Sequence, residues 1–262
     1  MKKQVIGEFL GTLILVLIGC SSVATAVLYN LLTLEQVATI WGIGVSIAIY
    51  STLWICNSHL NPAVSFAFFI HNKITLKELI FYSIFQILGG ITGGFLVYLI
   101  FENDIIAFEQ SKQIIRNSVE GRFSAQIFGE FFPNPGFDKI ISTTHLEAFI
   151  YEMTGTFLLF LIIQIAILPI FSKKKLSPLI IGFGLALLII WIAPYTQAGF
   201  NPARDFGPRL LAYLMGWSNY SFPKPWFSAY TVYILAPLIG AGIAAYTTSL
   251  FINRQSAKHN EN

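Results

Sequence analysis

Apolar positions along this chain run together for longer than a water-soluble helix or strand requires. Stretches free of charge extend from Phe9 to Leu34, Gln36 to Asn72, Leu79 to Phe101, Ala148 to Phe171 (interrupted by Glu152), Leu176 to Asn201 and Pro225 to Asn253. A helix that crosses a bilayer needs about 20 such residues, so the pattern predicts six spans. The short alternating segments of a membrane β-barrel are absent from the sequence, and backbone in lipid must satisfy its own hydrogen bonds, which leaves helices. The second and fifth stretches outlast one crossing, and both lead to the same tripeptide, Asn-Pro-Ala.

Composition agrees with a chain surrounded mostly by lipid. Of 262 residues, 55% are hydrophobic and 11% are charged, against about a quarter charged in a soluble domain. The net charge of +3 is informative through its placement. Lys2, Lys3, Lys73, Lys77, Lys173 to Lys175, Arg254 and Lys258 fall at alternate ends of the expected spans. Both termini are therefore expected in the cytoplasm, and no basic patch suggests nucleic acid. Cys20 and Cys56 lie in or beside apolar stretches and read as packing residues without a disulfide. Met1-Lys2-Lys3 followed by Leu17-Ile18-Gly19-Cys20 also has the outline of a lipoprotein signal. Against that, the apolar run continues beyond Cys20 to Tyr29 and contains Glu8 near its start.

A repeat divides the chain in two. Glu8-Phe9-Leu10-Gly11-Thr12 recurs as Glu152-Met153-Thr154-Gly155-Thr156, and Asn61-Pro62-Ala63 recurs as Asn201-Pro202-Ala203. Gln86-Ile87-Leu88-Gly89-Gly90 is echoed by Pro237-Leu238-Ile239-Gly240-Ala241. Three spans lie in each copy, and an odd number forces opposite orientations in the bilayer. Such inverted repeats place their sites at the midplane. The expected organisation is one channel domain over residues 1–262: a first repeat at 1–101, an extracellular linker at 102–147, a second repeat at 148–253 and a cytoplasmic tail at 254–262.

Asn-Pro-Ala is locally a helix start, with Asn as N-cap and Pro at the first helical position. The apolar stretches that follow, Val64 to Ile70 and Phe206 to Leu214, are too short to span. Two copies in register predict two re-entrant half-helices that meet at their N-termini. Each N-terminus carries about half a positive charge, so the facing pair opposes cations. Asn61 and Asn201 retain amide donors for a passing oxygen. The non-helical residues before them can turn carbonyls to a lumen, the candidates being those of Asn57, Ser58, His59, Gln197, Ala198 and Gly199. Glu8 and Glu152 are costly in lipid and are expected to face inward, accepting from the N–H groups of these loops; a proton or ion relay is the other reading. Arg204 follows the second motif directly. Its fixed donors and permanent charge suit hydroxyls and repel cations, whereas a snorkelling surface residue is the plainer alternative.

His59-Leu60-Asn61-Pro62-Ala63-Val64 and Gly199-Phe200-Asn201-Pro202-Ala203-Arg204-Asp205-Phe206-Gly207-Pro208-Arg209 resemble the two signatures of the major intrinsic protein (aquaporin) family. The resemblance implies an all-α membrane protein of six transmembrane helices plus two half-helices in a 3+3 inverted repeat. It also implies a homotetramer with one pore per subunit and passive diffusion without cofactor or metal. Asp205 and Arg209 resemble the glycerol-facilitator branch, as do Phe108-Glu109-Gln110 and Pro133-Asn134-Pro135 in the linker. Carried over by position, the selectivity filter is Trp41, Ile189, Ala198 and Arg204. Trp41 and Arg204 fit glycerol facilitators, in which an aromatic wall meets the carbon chain and Arg meets the hydroxyls. Ile189 and Ala198 depart from that pattern and, with Tyr233-Ile234, look like nodulin-type channels.

The resemblance implies a plasma-membrane channel, embedded in lipid, for glycerol and other small neutral solutes, with some water flow; urea, dihydroxyacetone and undissociated lactic acid stay open. A water-selective channel of the same fold is opposed by Trp41, Asp205 and the lack of a filter His. An ion-coupled transporter would need an ion site beyond Glu8 and Glu152. An enzyme would need a nucleophile and a base, and His59 alone lies near the expected lumen, while His71, His145 and His259 read as loop or tail residues.

Overall fold

The computed structural model describes residues 1–260, with side chains to Leu250, and those residues form helices and connecting loops with no strand. The long helices are α1 (Lys2–Tyr29), α2 (Leu34–Thr52), α4 (Leu76–Lys112), α5 (His145–Ala166), α6 (Ser177–Thr196) and α8 (Ala236–Asn260). Two short ones, α3 (Pro62–Ile70) and α7 (Pro202–Ala212), follow the two Asn-Pro-Ala motifs. Five helical stretches are long and apolar enough to cross a membrane, the last running from Ser228 to Leu250 through a π-helical turn. The remaining expected span, α2, has 19 residues and a polar first turn containing Glu35 and Gln36. It lies packed against α1 and α6. His259 and the rest of the tail after Leu250 lie outside the side chains described.

Local sequence explains where the helices begin. Thr33 with Gln36, Thr75 with Glu78 and Thr144 with Glu147 form capping boxes that start α2, α4 and α5, each satisfying two otherwise unpaired N–H groups. α4 continues from Glu102 to Lys112, into the segment expected to be an open linker. The extension has its own buried side. Ile105 is fully buried, and Glu109 accepts from Arg116 at 2.8 Å and from Ser124 at 2.7 Å. A charge that ends an apolar run therefore need not end the helix.

The packing repeats in the two halves. α1 packs on α2 and α4, and α5 packs on α6 and α8. The short helices cross over: α3 packs against α8 of the second half, and α7 against α4 of the first. Small residues permit the closest approaches. A Cβ on Gly89 would meet the Phe9 carbonyl, and one on the repeat-related Gly240 would meet that of Met153. Without a hydrophobic drive between helices in lipid, such close backbone contact is a main source of association. Cys20 and Cys56 are free and buried, and α1 runs unbroken through Cys20.

Substituting Val for Gly240 should lower the thermal unfolding midpoint of the purified protein, since overpacking costs about 1–3 kcal/mol. G136A, at a glycine where an added Cβ would meet nothing closer than 3.4 Å, is the control and should unfold like the parent. Equal midpoints for the two variants would show that the α5–α8 contact tolerates separation.

Candidate functional site

The two half-helices start head to head. Asn61 caps α3 through its Oδ1, which accepts from the Ala63 N–H at 2.8 Å. Asn201 caps α7 in the same way, accepting from Ala203 at 3.0 Å and Arg204 at 3.2 Å. Each amide nitrogen then reaches across to the other half. Asn61 Nδ2 donates to the Phe200 carbonyl at 2.9 Å, and Asn201 Nδ2 donates to the Leu60 carbonyl at 2.7 Å. A carboxamide has two N–H bonds, so each Asn keeps one donor after this crossing. Pro62, Ala63, Pro202 and Ala203 are buried around the meeting point.

The loops leading to these caps are held in an unusual backbone conformation. Ser58 and Leu60 have φ of 52°, and Ala198 and Phe200 have φ of 63° and 53°. Left-handed non-glycine residues cost about 1–3 kcal/mol each and persist only where the surroundings fix them. Two fully buried carboxylates supply that restraint. Glu8 accepts from the N–H groups of His59 at 2.9 Å and Leu60 at 2.7 Å, and from Gln86 Nε2 at 2.8 Å. Glu152 accepts from Gly199 at 2.9 Å, Phe200 at 2.8 Å and the Thr196 hydroxyl at 2.6 Å. His59 is positioned by Ser65, 3.1 Å from its Nδ1, and by stacking on Phe68. Asn57 is exposed at the far end of its loop. The other two histidines described serve structure: His71 bonds the Ala245 carbonyl at 2.8 Å, and His145 bonds Thr231 at 2.8 Å.

A cavity of about 880 Å³ opens on the opposite side, above Asn201. Trp41, Ile189, Ala198 and Arg204 all line it, together with Gln197, Gly199 and Phe200. The structure thus brings the four carried-over filter positions into one chamber. Trp41 also meets the arginine. The Arg204 guanidinium carbon lies 4.2 Å from the Trp41 ring centre, which is stacking distance for a cation–π pair. On α1, a Cβ at Gly19 would meet the same ring. Trp41 is thus a platform for the arginine and part of the chamber wall, which Leu15, Leu159, Leu185 and Ile189 continue.

One residue of this chamber escaped the sequence reading. Glu130, 1% exposed, lines the cavity and pairs with Arg204 Nη2. It comes from the segment between α4 and α5, which carries no motif at that position. The signal that would have found it is the one applied to Glu8, a lone acid inside an apolar stretch, here Phe128-Gly129-Glu130-Phe131-Phe132. Burial pushes the Glu130 carboxyl above the ordinary carboxylate range, and the adjoining Arg204 guanidinium works the other way.

Asp205 and Arg209 are not among the cavity-lining residues; they fasten the segment that carries Glu130. Asp205 Oδ1 accepts from the Glu130 N–H at 2.7 Å, and fully buried Arg209 donates to Asp205 at 2.6 Å and 3.0 Å. Arg209 donates as well to the carbonyls of Glu130 and Ser221. Gln197 adds a tie through its Oε1, which accepts from the Phe131 N–H at 2.8 Å. Asn134 donates to the Ala193 carbonyl at 2.7 Å.

Apolar spans and two crossed half-helices beneath a polar, aliphatic-walled chamber define a membrane protein with a solute path between two related halves. The chain matches the family model described as Major intrinsic protein over residues 1–247, and it belongs to that family. Among its relatives is a glycerol uptake facilitator protein of Pseudomonas aeruginosa, 34% identical over 92% of this chain and 86% of the relative. The glycerol uptake facilitator protein of Escherichia coli K12 is 34% identical over 97% and 89% of the two chains. A propanediol uptake facilitator of Citrobacter freundii is 33% identical over 94% and 91%. The fold is similar to the X-ray structure of the aquaglyceroporin from Plasmodium falciparum, with a TM-score of 0.76, 24% identity and 93% of each chain covered.

Replacing Glu152 with Ala leaves the Gly199 and Phe200 N–H groups without their acceptor. A buried unsatisfied donor costs about 1–3 kcal/mol, so E152A should unfold at a clearly lower temperature than the parent protein. E152Q, which keeps one acceptor oxygen, should fall between them. A parent-like midpoint for E152A would mean that the loop holds its conformation unaided.

Proposed function

We propose that the chain is a passive channel of the plasma membrane for glycerol and comparable small uncharged solutes, with some water flow and no passage of ions or protons. The observation that carries this reading is the crossed pair of hydrogen bonds from Asn61 to Phe200 and from Asn201 to Leu60. It sets two helix N-termini, each worth about half a positive charge, against one another on the solute path. A cation meets that field without compensation, while a neutral hydroxyl can take a hydrogen bond from the remaining amide donor of Asn61 or Asn201. The names of the bacterial relatives, glycerol and propanediol uptake facilitators, point to the same solute class.

In this reading Trp41, Ile189, Ala198 and Arg204 form the outer filter. Arg204 donates to solute oxygen, and Ile189 with its aliphatic neighbours accommodates the carbon side, where water's lost hydrogen bonds go unreplaced. The carbonyls of Asn57, Ser58, His59, Gln197, Ala198 and Gly199 offer acceptors along the path on either side of the centre. Glu8 and Glu152 hold those loops, and Asp205 with Arg209 secures the outer segment. No bond of the solute is made or broken, so the protein acts as a transporter and catalyses no reaction. Both termini face the cytoplasm, residues 102–147 lie outside the cell, and four copies assemble with one pore each.

Stopped-flow light scattering on proteoliposomes tests the proposal. Glycerol should re-swell shrunken vesicles several times faster with protein than without, in the absence of any ion gradient. Dependence on a proton or sodium gradient would replace the channel with a coupled carrier. R204A should change the relative rates of water, glycerol and urea or admit cations; unchanged ratios and no cation leak would remove Arg204 from the filter.

A further inference from the structure

The outer chamber contains its own carboxylate, and that narrows the solute class beyond small and neutral. Guanidinium and carboxylate form strong charge-assisted pairs, often through two parallel N–H···O bonds. An arginine on a solute path is thus also a docking point for organic acids, especially with two positive helix ends beyond it. In this chain that docking point is already taken. Glu130 pairs with Arg204 Nη2, and Trp41 covers a face of the guanidinium. Among the described residues, Glu130 is the protein acceptor paired with this side chain.

The carboxyl is held firmly. Its residue is 1% exposed, with its N–H bonded to Asp205 and its carbonyl to Arg209. The two clamping side chains are themselves buried and paired with each other. Glu130 Oε1 is buried and is the oxygen that meets Arg204 Nη2, so the acid-binding side of the guanidinium is occupied from within the protein. A second carboxylate would have to approach this one and compete for the same guanidinium. A neutral polyol or urea has no such conflict, because its oxygen can accept from the remaining Arg204 donors and its O–H or N–H can donate to Glu130.

We infer that Glu130 is a specificity-determining residue that occupies the acid-binding side of Arg204, so that the filter takes neutral hydrogen-bond donors such as vicinal diols and ureas and rejects solutes bearing a carboxylate. This rests on the channel reading above and extends it by discrimination through repulsion. Within that reading it also removes lactic acid from the open solutes wherever the acid is ionised.

The test is competition. Glycerol entry into proteoliposomes is measured by stopped flow at pH 7 with equal sodium formate or sodium lactate on both sides of the membrane and sodium chloride as the osmotic control. For the parent protein and for E130D, which keeps the carboxylate, glycerol flux should be the same in all three salts. For E130Q and E130A, formate and lactate should slow glycerol at least threefold relative to chloride as they settle on the freed Arg204. Slowing of the parent protein by formate or lactate would overturn the inference without reference to any variant. So would E130Q or E130A flux that is equal in the three salts. If the variants fail to fold, the parent measurement still decides whether an acid can reach Arg204. Absence of glycerol flux in the parent protein under chloride would instead overturn the channel reading itself.

Discussion

The crossed hydrogen bonds at the centre fix everything built around them. Asn61 and Asn201 each cap their own helix with the amide oxygen and join the other half with the amide nitrogen. No other short side chain supplies an acceptor and two donors in one plane. Aspartate would keep the cap and lose the crossing, and serine would be too short to span it. The arrangement depends in turn on carbonyls at Leu60 and Phe200 that a regular backbone would not present. Left-handed residues provide them, and Glu8 and Glu152 offset the cost from opposite sides of the protein. A strained loop, a buried acid and a capping amide thus form a single unit, used twice.

The halves diverge where the chain must discriminate among solutes. Glu8 and Glu152 are equivalent, as are the glycines at 89 and 240 that let helices approach. The Arg204, Asp205 and Arg209 that follow the second motif have no counterparts after the first, where Val64, Ser65 and Phe69 stand. These residues gather the outer segment over one mouth of the path. Symmetry serves the centre, which must exclude charge from either direction. The added charged cluster serves the outer entrance alone.

Much of this was legible in the sequence because lipid makes errors expensive. A buried acid or a polar break in an apolar run needs a reason, so Glu8, Glu152, Arg204 and the Asn-Pro-Ala repeats stood out and led to the fold. The capping boxes, such as Thr144 with Glu147, were not read from the apolar runs, the fourth of which starts only at Ala148. Two features of the chamber were not legible either. The stacking of Arg204 on Trp41 depends on room left by Gly19 in another helix, and no local pattern encodes a contact between three separate segments. Glu130 has the outline of a lone acid among apolar residues, but it sits in irregular backbone outside the spans, where an acid ordinarily faces water. Only the clamp from Asp205 and Arg209, 75 and 79 positions away, turns it inward.

The crossing of the short helices has a consequence for how the protein is made. α3 packs on α8, synthesised long after it, and α7 packs on α4, synthesised long before it. The first re-entrant loop cannot settle until the second half is inserted, because α8 and the Phe200 carbonyl belong to that half. The second loop finds α4 and the Leu60 carbonyl already made. An unfinished chain in the membrane therefore has helices but no completed conduit. A cell translating this message is spared a population of half-built holes through which its ion gradients would drain, since the path through the protein comes into being only when both halves are present.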